Sequence, residues 1–111
     1  MSVGMRNQVQ QASISVAASG YNAIVGNTAG KSVVVVALLL VNGVASAQNV
    51  TLVDSGSLVF TGAMPLNTAG VPLFLDAKPD IDYFTTVSGR GFGLSLSAAT
   101  QVSGSVWYVL F

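Results

Sequence analysis

Cysteine, histidine and glutamate are absent from this sequence, and little charge of either sign remains. Without cysteine there is no disulfide framework, no zinc knuckle and no thiol chemistry. Without histidine the chain lacks the side chain that most often moves protons at neutral pH, and no histidine switch between pH 5 and 8 can be built. The eight charged side chains are Arg6, Lys31, Lys78 and Arg90 against Asp54, Asp76, Asp80 and Asp82. They make up 7% of the chain, where a soluble domain carries about 25%. Net charge is zero, so there is no electrostatic footprint for nucleic acid. No apolar run reaches the roughly 18 residues of a membrane helix. The start, MSVGMRNQVQQ, has no apolar centre, so a secretory signal is not expected and synthesis and use in the cytoplasm of a producing cell is.

What is present is apolar: 51% of residues, with a mean hydropathy of +0.68. At 111 residues the chain fits one domain with a real core. So few charges protect an isolated monomer poorly against association, which predicts a surface largely covered by partners.

The organising stretch is KSVVVVALLLVNG, Lys31–Gly43. From Val33 to Val41 every residue is apolar, so a strand here has no wet face. The valine run favours an extended chain and Asn42-Gly43 a tight reversal. Around this central strand the sequence predicts short strands between turn residues. They fall at 12–17, 21–25, 47–53, 57–61, 71–75, 81–87, 92–97 and 103–111. Pro72 places its strand at an edge or a strand start. Phe92, Leu94 and Leu96 face one way and Gly93, Ser95 and Ser97 the other, a small face suited to close approach of another backbone. The last strand is apolar on both faces: Val106, Tyr108 and Leu110 on one, Trp107, Val109 and Phe111 on the other. No helix longer than a turn is expected. The fold class is therefore all-β, a single antiparallel β-sandwich, jelly-roll-like, of about eight short strands over 11–111 with a flexible arm at 1–10.

Chemistry is mostly excluded. Asp76, Asp80 and Asp82 cluster around Lys78 without a nucleophile or base beside them, and their spacing lacks the closing glutamate of a calcium loop. Gly89-Arg90-Gly91-Phe92-Gly93 lacks the helix and Lys-Ser/Thr of a phosphate cradle and reads as a turn. No catalytic residue, metal, cofactor or small-molecule substrate is expected. Exposed aromatics gripping a glycan are the alternative to core and interface packing.

Several short motifs resemble a known group. Ser19-Gly20-Tyr21-Asn22-Ala23-Ile24-Val25 leads to Ala29-Gly30-Lys31 and the apolar strand. Leu73-Phe74-Leu75, Gly93-Leu94-Ser95-Leu96-Ser97-Ala98-Ala99 and Val102-Ser103-Gly104 follow. Over nearly the whole chain this resembles small tailed-phage virion proteins, and by size and class the jelly-roll decoration (staple or cement) proteins of short-tailed phages. The resemblance implies a structural virion protein on the outer capsid surface that clamps neighbouring major capsid subunits. It also implies a homo-oligomer, with a dimer favoured. A tail or fibre module binding a host surface glycan is the alternative. Expected partner-interface residues are Met5 and Arg6 in the arm, Ile14 and Val16 in the 12–17 strand, Pro72, and Trp107 and Phe111 of the last strand.

Overall fold

The computed structural model describes residues 8–43, 48–66, 72–78 and 81–111. Nine strands are found there: β1 (Gln10–Val16), β2 (Gly20–Val25), β3 (Val33–Asn42), β4 (Gln48–Asp54), β5 (Met64–Leu66), β6 (Pro72–Leu75), β7 (Phe84–Thr85), β8 (Phe92–Leu96) and β9 (Val102–Leu110). They form two antiparallel sheets. One runs β1-β9-β3-β6, with β7 also on β3, and the other runs β2-β8-β4-β5.

The pairing is nested. β1 lies on β9, β2 on β8, β3 on β6 and β7, and β4 on β5, so the chain is one long hairpin folded back on itself. Rolling that hairpin brings β9 beside β3 and β8 beside β4, which gives the strand order of a jelly roll. The all-β sandwich expected from the sequence is the observed fold.

β3 is buried along almost its full length, and a bulge explains how it serves two faces. Its register against β9 shifts between Val35 and Ala37. Before the shift Val33 and Val35 point into the sandwich, and after it Leu38 and Leu40 do. Val34 and Val36 point outward, where they form a second cluster with Val109 under Trp107. An extra residue in one strand is what reverses the side-chain parity. The inner core adds Ile14, Val50, Leu52, Phe92, Leu94, Leu96, Val102 and Val106, all at most 3% exposed. Phe60 closes one end, stacked 5.3 Å from Phe84 of one sheet and 6.3 Å from Phe92 of the other.

Two expected strands are shorter or displaced. Within 57–61 only a bridge, Val53 to Val59, forms, because the Thr61 hydroxyl accepts from the Leu52 amide at 3.1 Å where a ladder carbonyl would stand. The strand on that side is Met64–Leu66, a stretch the sequence presents as loop because of Pro65. Of 81–87 only Phe84–Thr85 is strand, although the Tyr83 and Thr86 amides still donate to the Val35 and Val33 carbonyls at 2.9 and 3.0 Å. Proline sits as expected: Pro72 begins β6 at the sheet edge, opposite Val41.

Gly104 is the tightest point of the β3–β9 pair. Its φ is +150°, and a Cβ there would overlap the Leu39 carbonyl oxygen. Gly104→Ala is expected to lower stability by about 2–3 kcal/mol in denaturant unfolding, whereas Gly62→Ala, with open space around it, should leave the midpoint nearly unchanged.

Candidate interaction surfaces

The outer face of the β1-β9-β3-β6 sheet carries an open apolar groove of about 280 Å³. Val36 and Ala37 at the β3 bulge form its floor, Trp107 of β9 one wall, and Phe74 of β6 with Ala77 the other; Val9 closes it near β1 and Asp76 is its one charged side chain. Phe74 is 54% exposed. Trp107 is half-buried because its ring covers Val34, Val36 and Val109. The same apolar outer surface of β3 that demands cover is thus only partly covered by the chain's own described residues.

The expected interface residues divide. Trp107 lines the groove, and Pro72 is exposed on the same edge as Phe74. Phe111 is 55% exposed, yet its backbone is held by paired hydrogen bonds with Ser32 at 3.0 and 3.1 Å. Val16 is half-buried and packs on the core. Ile14 is corrected: at 2% exposure it is a core residue, because the even positions of β1 point between the sheets. Met5 and Arg6 lie outside the described residues, as does most of the expected arm; Gln10 already belongs to β1. Asp80 of the acidic corner also lies outside the described residues. Among the described residues no three Asp, Glu, His or Cys side chains come together.

The other sheet has a different outer face. A concavity of about 300 Å³ is lined by Tyr21, Val53, Asp54, Ser55, Ser57, Val59 and Ser95. Its polar lining comes from Ser95 of β8 and from Asp54, Ser55 and Ser57 at the end of β4 and in the turn that follows. The close approach expected over that small face is made by the chain itself, since the Tyr21 ring lies across Gly93, where a Cβ would come 2.5 Å from Tyr21 Cε1. Covering a strand glycine with a diagonal aromatic shields the bare backbone. Tyr21 remains 45% exposed. Partial burial, and secondarily the charge of Asp54, raise its phenol above the ordinary value of 10.0.

Asp54 organises this end of the molecule. It is 1% exposed. Oδ1 accepts from the Gly56 and Leu58 amides at 2.8 and 2.9 Å, and Oδ2 from the Val87 amide at 3.3 Å. Arg90 Nη1 stands 4.0 Å away with its side chain 44% exposed. These bonds hold Ser57 at φ +77°, a left-handed conformation rare outside glycine. Asn27 Oδ1 ties the neighbouring loop, accepting from Ser55 Oγ and the Gly91 amide, both at 2.7 Å. At the opposite end Gln48, fully buried, donates to the Ala98 carbonyl at 2.6 Å and the Thr100 hydroxyl at 2.8 Å. Its Oε1 accepts from the Ser97 and Ala98 amides at 3.0 Å, so one side chain fixes the β8–β9 turn. In the sequence Asp54 is followed by Ser55-Gly56, which marks a turn, and Gln48 stands in a partly alternating stretch. The overlooked signal is parity: both share the inward phase of Val50 and Leu52.

Asp54→Ala removes the acceptor of three backbone amides. Unfolding should show a loss of about 2–4 kcal/mol, well above the cost of a loop change with open space around it such as Gly62→Ala. In a spectrophotometric titration, Tyr21→Phe should remove a phenol that ionises above the usual range. The folded state holds that proton more tightly than the unfolded chain does. Its stabilising contribution is therefore complete below the ordinary phenol pKa and fades as pH rises through the raised one.

Among the described residues no helix is long and apolar enough to cross a membrane. In comparisons with known proteins, no family model, no curated protein and no solved structure matches the chain.

Proposed function

We propose that this chain is a non-enzymatic structural component of a virion, a decoration protein that seats on neighbouring major capsid subunits and stabilises the head. The observation that carries this reading is the apolar groove of Trp107, Phe74, Val36, Ala37 and Val9 on a chain almost free of charge. The motif resemblance described above supports the location. The mechanism is burial of area. Covering one large apolar side chain contributes about 1.5–3 kcal/mol, and an interface of standard size takes about 800 Å² from each partner. Repetition over a closed shell multiplies contacts that are individually modest. A second reading, a tail or fibre module stacking a surface sugar, is favoured by the half-exposed Tyr21 ring among the hydroxyls of Ser55, Ser57 and Ser95.

Quantitative mass spectrometry of purified particles decides between the two. One copy per one or two shell subunits supports decoration. A few dozen copies or fewer per particle supports the tail reading, and absence from particles overturns both.

If decoration holds, Phe74→Ser should weaken particle binding by about 1–3 kcal/mol while leaving folding intact, since Phe74 is mostly exposed. Binding should change little between low and high salt, because the groove offers one charge to screen. A steep salt dependence in a sedimentation assay would count against an apolar seat.

A further inference from the structure

The free sheet edges differ in one respect that concerns association. Natural sheets guard their edges with proline, charge, bulges or shortness, since an open strand recruits another. β5 has three residues and contains Pro65. β6 begins with Pro72, and β7 has two residues. β2 is bulged against β8 between Ala23 and Val25. β1 has none of these devices. It is seven residues long, QQASISV, in unbroken register with β9 from Gln10↔Tyr108 to Val16↔Val102. No charged residue occurs between Arg6 and Lys31. Among the described residues β1 pairs with β9 alone, and Gln10, Gln11, Ser13 and Ser15 are exposed.

We infer that β1 is a strand-addition edge whose occupant is the β1 strand of a second copy of this chain, joined antiparallel about a two-fold axis at Ser13. The strand is its own complement. Centring on Ser13 pairs all seven residues: Gln10 at the strand end meets Val16, Ala12 meets Ile14, Gln11 meets Ser15, and Ser13 meets itself. Each pairing keeps inward residues beside inward ones and outward beside outward, as a two-residue period requires. A slip by one position would set the inward Ile14 against an outward serine. At a two-fold axis the central residue faces its own copy, and neither Ser13 nor any other residue of this strand carries a charge to repel. Small opposed hydroxyls suit the close approach at the axis, where facing Cβ atoms are about 4.5–5.5 Å apart. The outer face already uses this chemistry within one chain: Gln11 Nε2 donates to Ser105 Oγ at 2.9 Å and Gln101 Nε2 to Ser15 Oγ at 3.0 Å. The dimer would join two sheets into one continuous sheet. It stands independently of the virion reading, because it concerns the isolated protein in solution.

The test is a charge swap read by light scattering on the full chain. Wild type should have twice the 11.3 kDa chain mass. Ser13→Lys and Ser13→Glu should each shift to the monomer mass, and their equimolar mixture should return to the dimer mass. Ser105→Lys, one strand inside the edge, should remain dimeric. Recovery in the mixture shows that the single variants are folded. A monomeric wild type, a trimer or larger ring, or a dimer that survives both single Ser13 variants overturns the inference. A wild-type monomer that still loads stoichiometrically onto particles would leave decoration standing and sink only the β1 contact.

Discussion

Pairing between β3 and β9 is the constraint on which the other contacts depend. It is the seam at which the folded-over hairpin closes, and it joins strands that are both apolar on two faces. Inward, the seam supplies Val33, Val35, Leu38, Leu40, Val102 and Val106 to the space between the sheets. Outward, it supplies Val34, Val36 and Val109. The bulge after Val35 lets one strand satisfy both demands, and Gly104 lets the backbones meet closely further along. The groove exists because this seam has more apolar surface than Trp107 alone covers. The open groove and a structural requirement are here one feature seen from two sides.

Polar groups in the interior are few and each acts as a clamp. Burying a polar group is unfavourable unless its hydrogen bonds are met, so a satisfied one is stabilising only in the geometry that satisfies it. Asp54 and Gln48 stand at opposite ends of β4. The first gathers the amides of 56, 58 and 87, the second the turn at 97–100. Asn42 does the same on β3, donating to the Leu66 carbonyl at 2.6 Å. With so little charge on the chain, these neutral and singly charged bonds do the specifying that salt-bridge networks do elsewhere.

The fold class was legible because its signals are local. Nine apolar residues in a row, a strict alternation over 92–97 and turn residues at short intervals all survive into the structure, as β3, β8 and the reversals around them. The two-faced character of β9 was also readable from Val106 to Leu110. What was not legible depends on partners distant in sequence. Thr61 interrupts a ladder by offering its hydroxyl to Leu52, and nothing in Ser57–Thr61 announces that. The shift of parity at Val36 is invisible in a run of identical valines. Ile14 reads as an edge residue until the parity of β1 against β9 shows its side turned inward. Of the surface, the edge position of Pro72 was legible from its missing amide. Which of the aromatics stay open was not, because an aromatic in a short strand looks the same whether it ends up covered or open.

The nested order of pairing also sets a timetable for synthesis. Ile14 is opposite Gly104, so its cover against β9 is about ninety residues behind it in the chain. At about 5–20 residues per second, β1 emerges roughly ten seconds before the strand that will shelter it. During that interval Ala12, Ile14 and Val16 lack β9, while among the described strands the pairing closest in sequence is the one around the 54–58 turn, innermost in the nest. Long-range pairing of this kind folds slowly, and the strands that wait longest are those most exposed to capture by the wrong partner. A strand of serine, glutamine and alanine is less adhesive while it waits than one like β3 would be. The mild composition of β1 is thus suited to a strand made before all the other described ones and among the last to be enclosed.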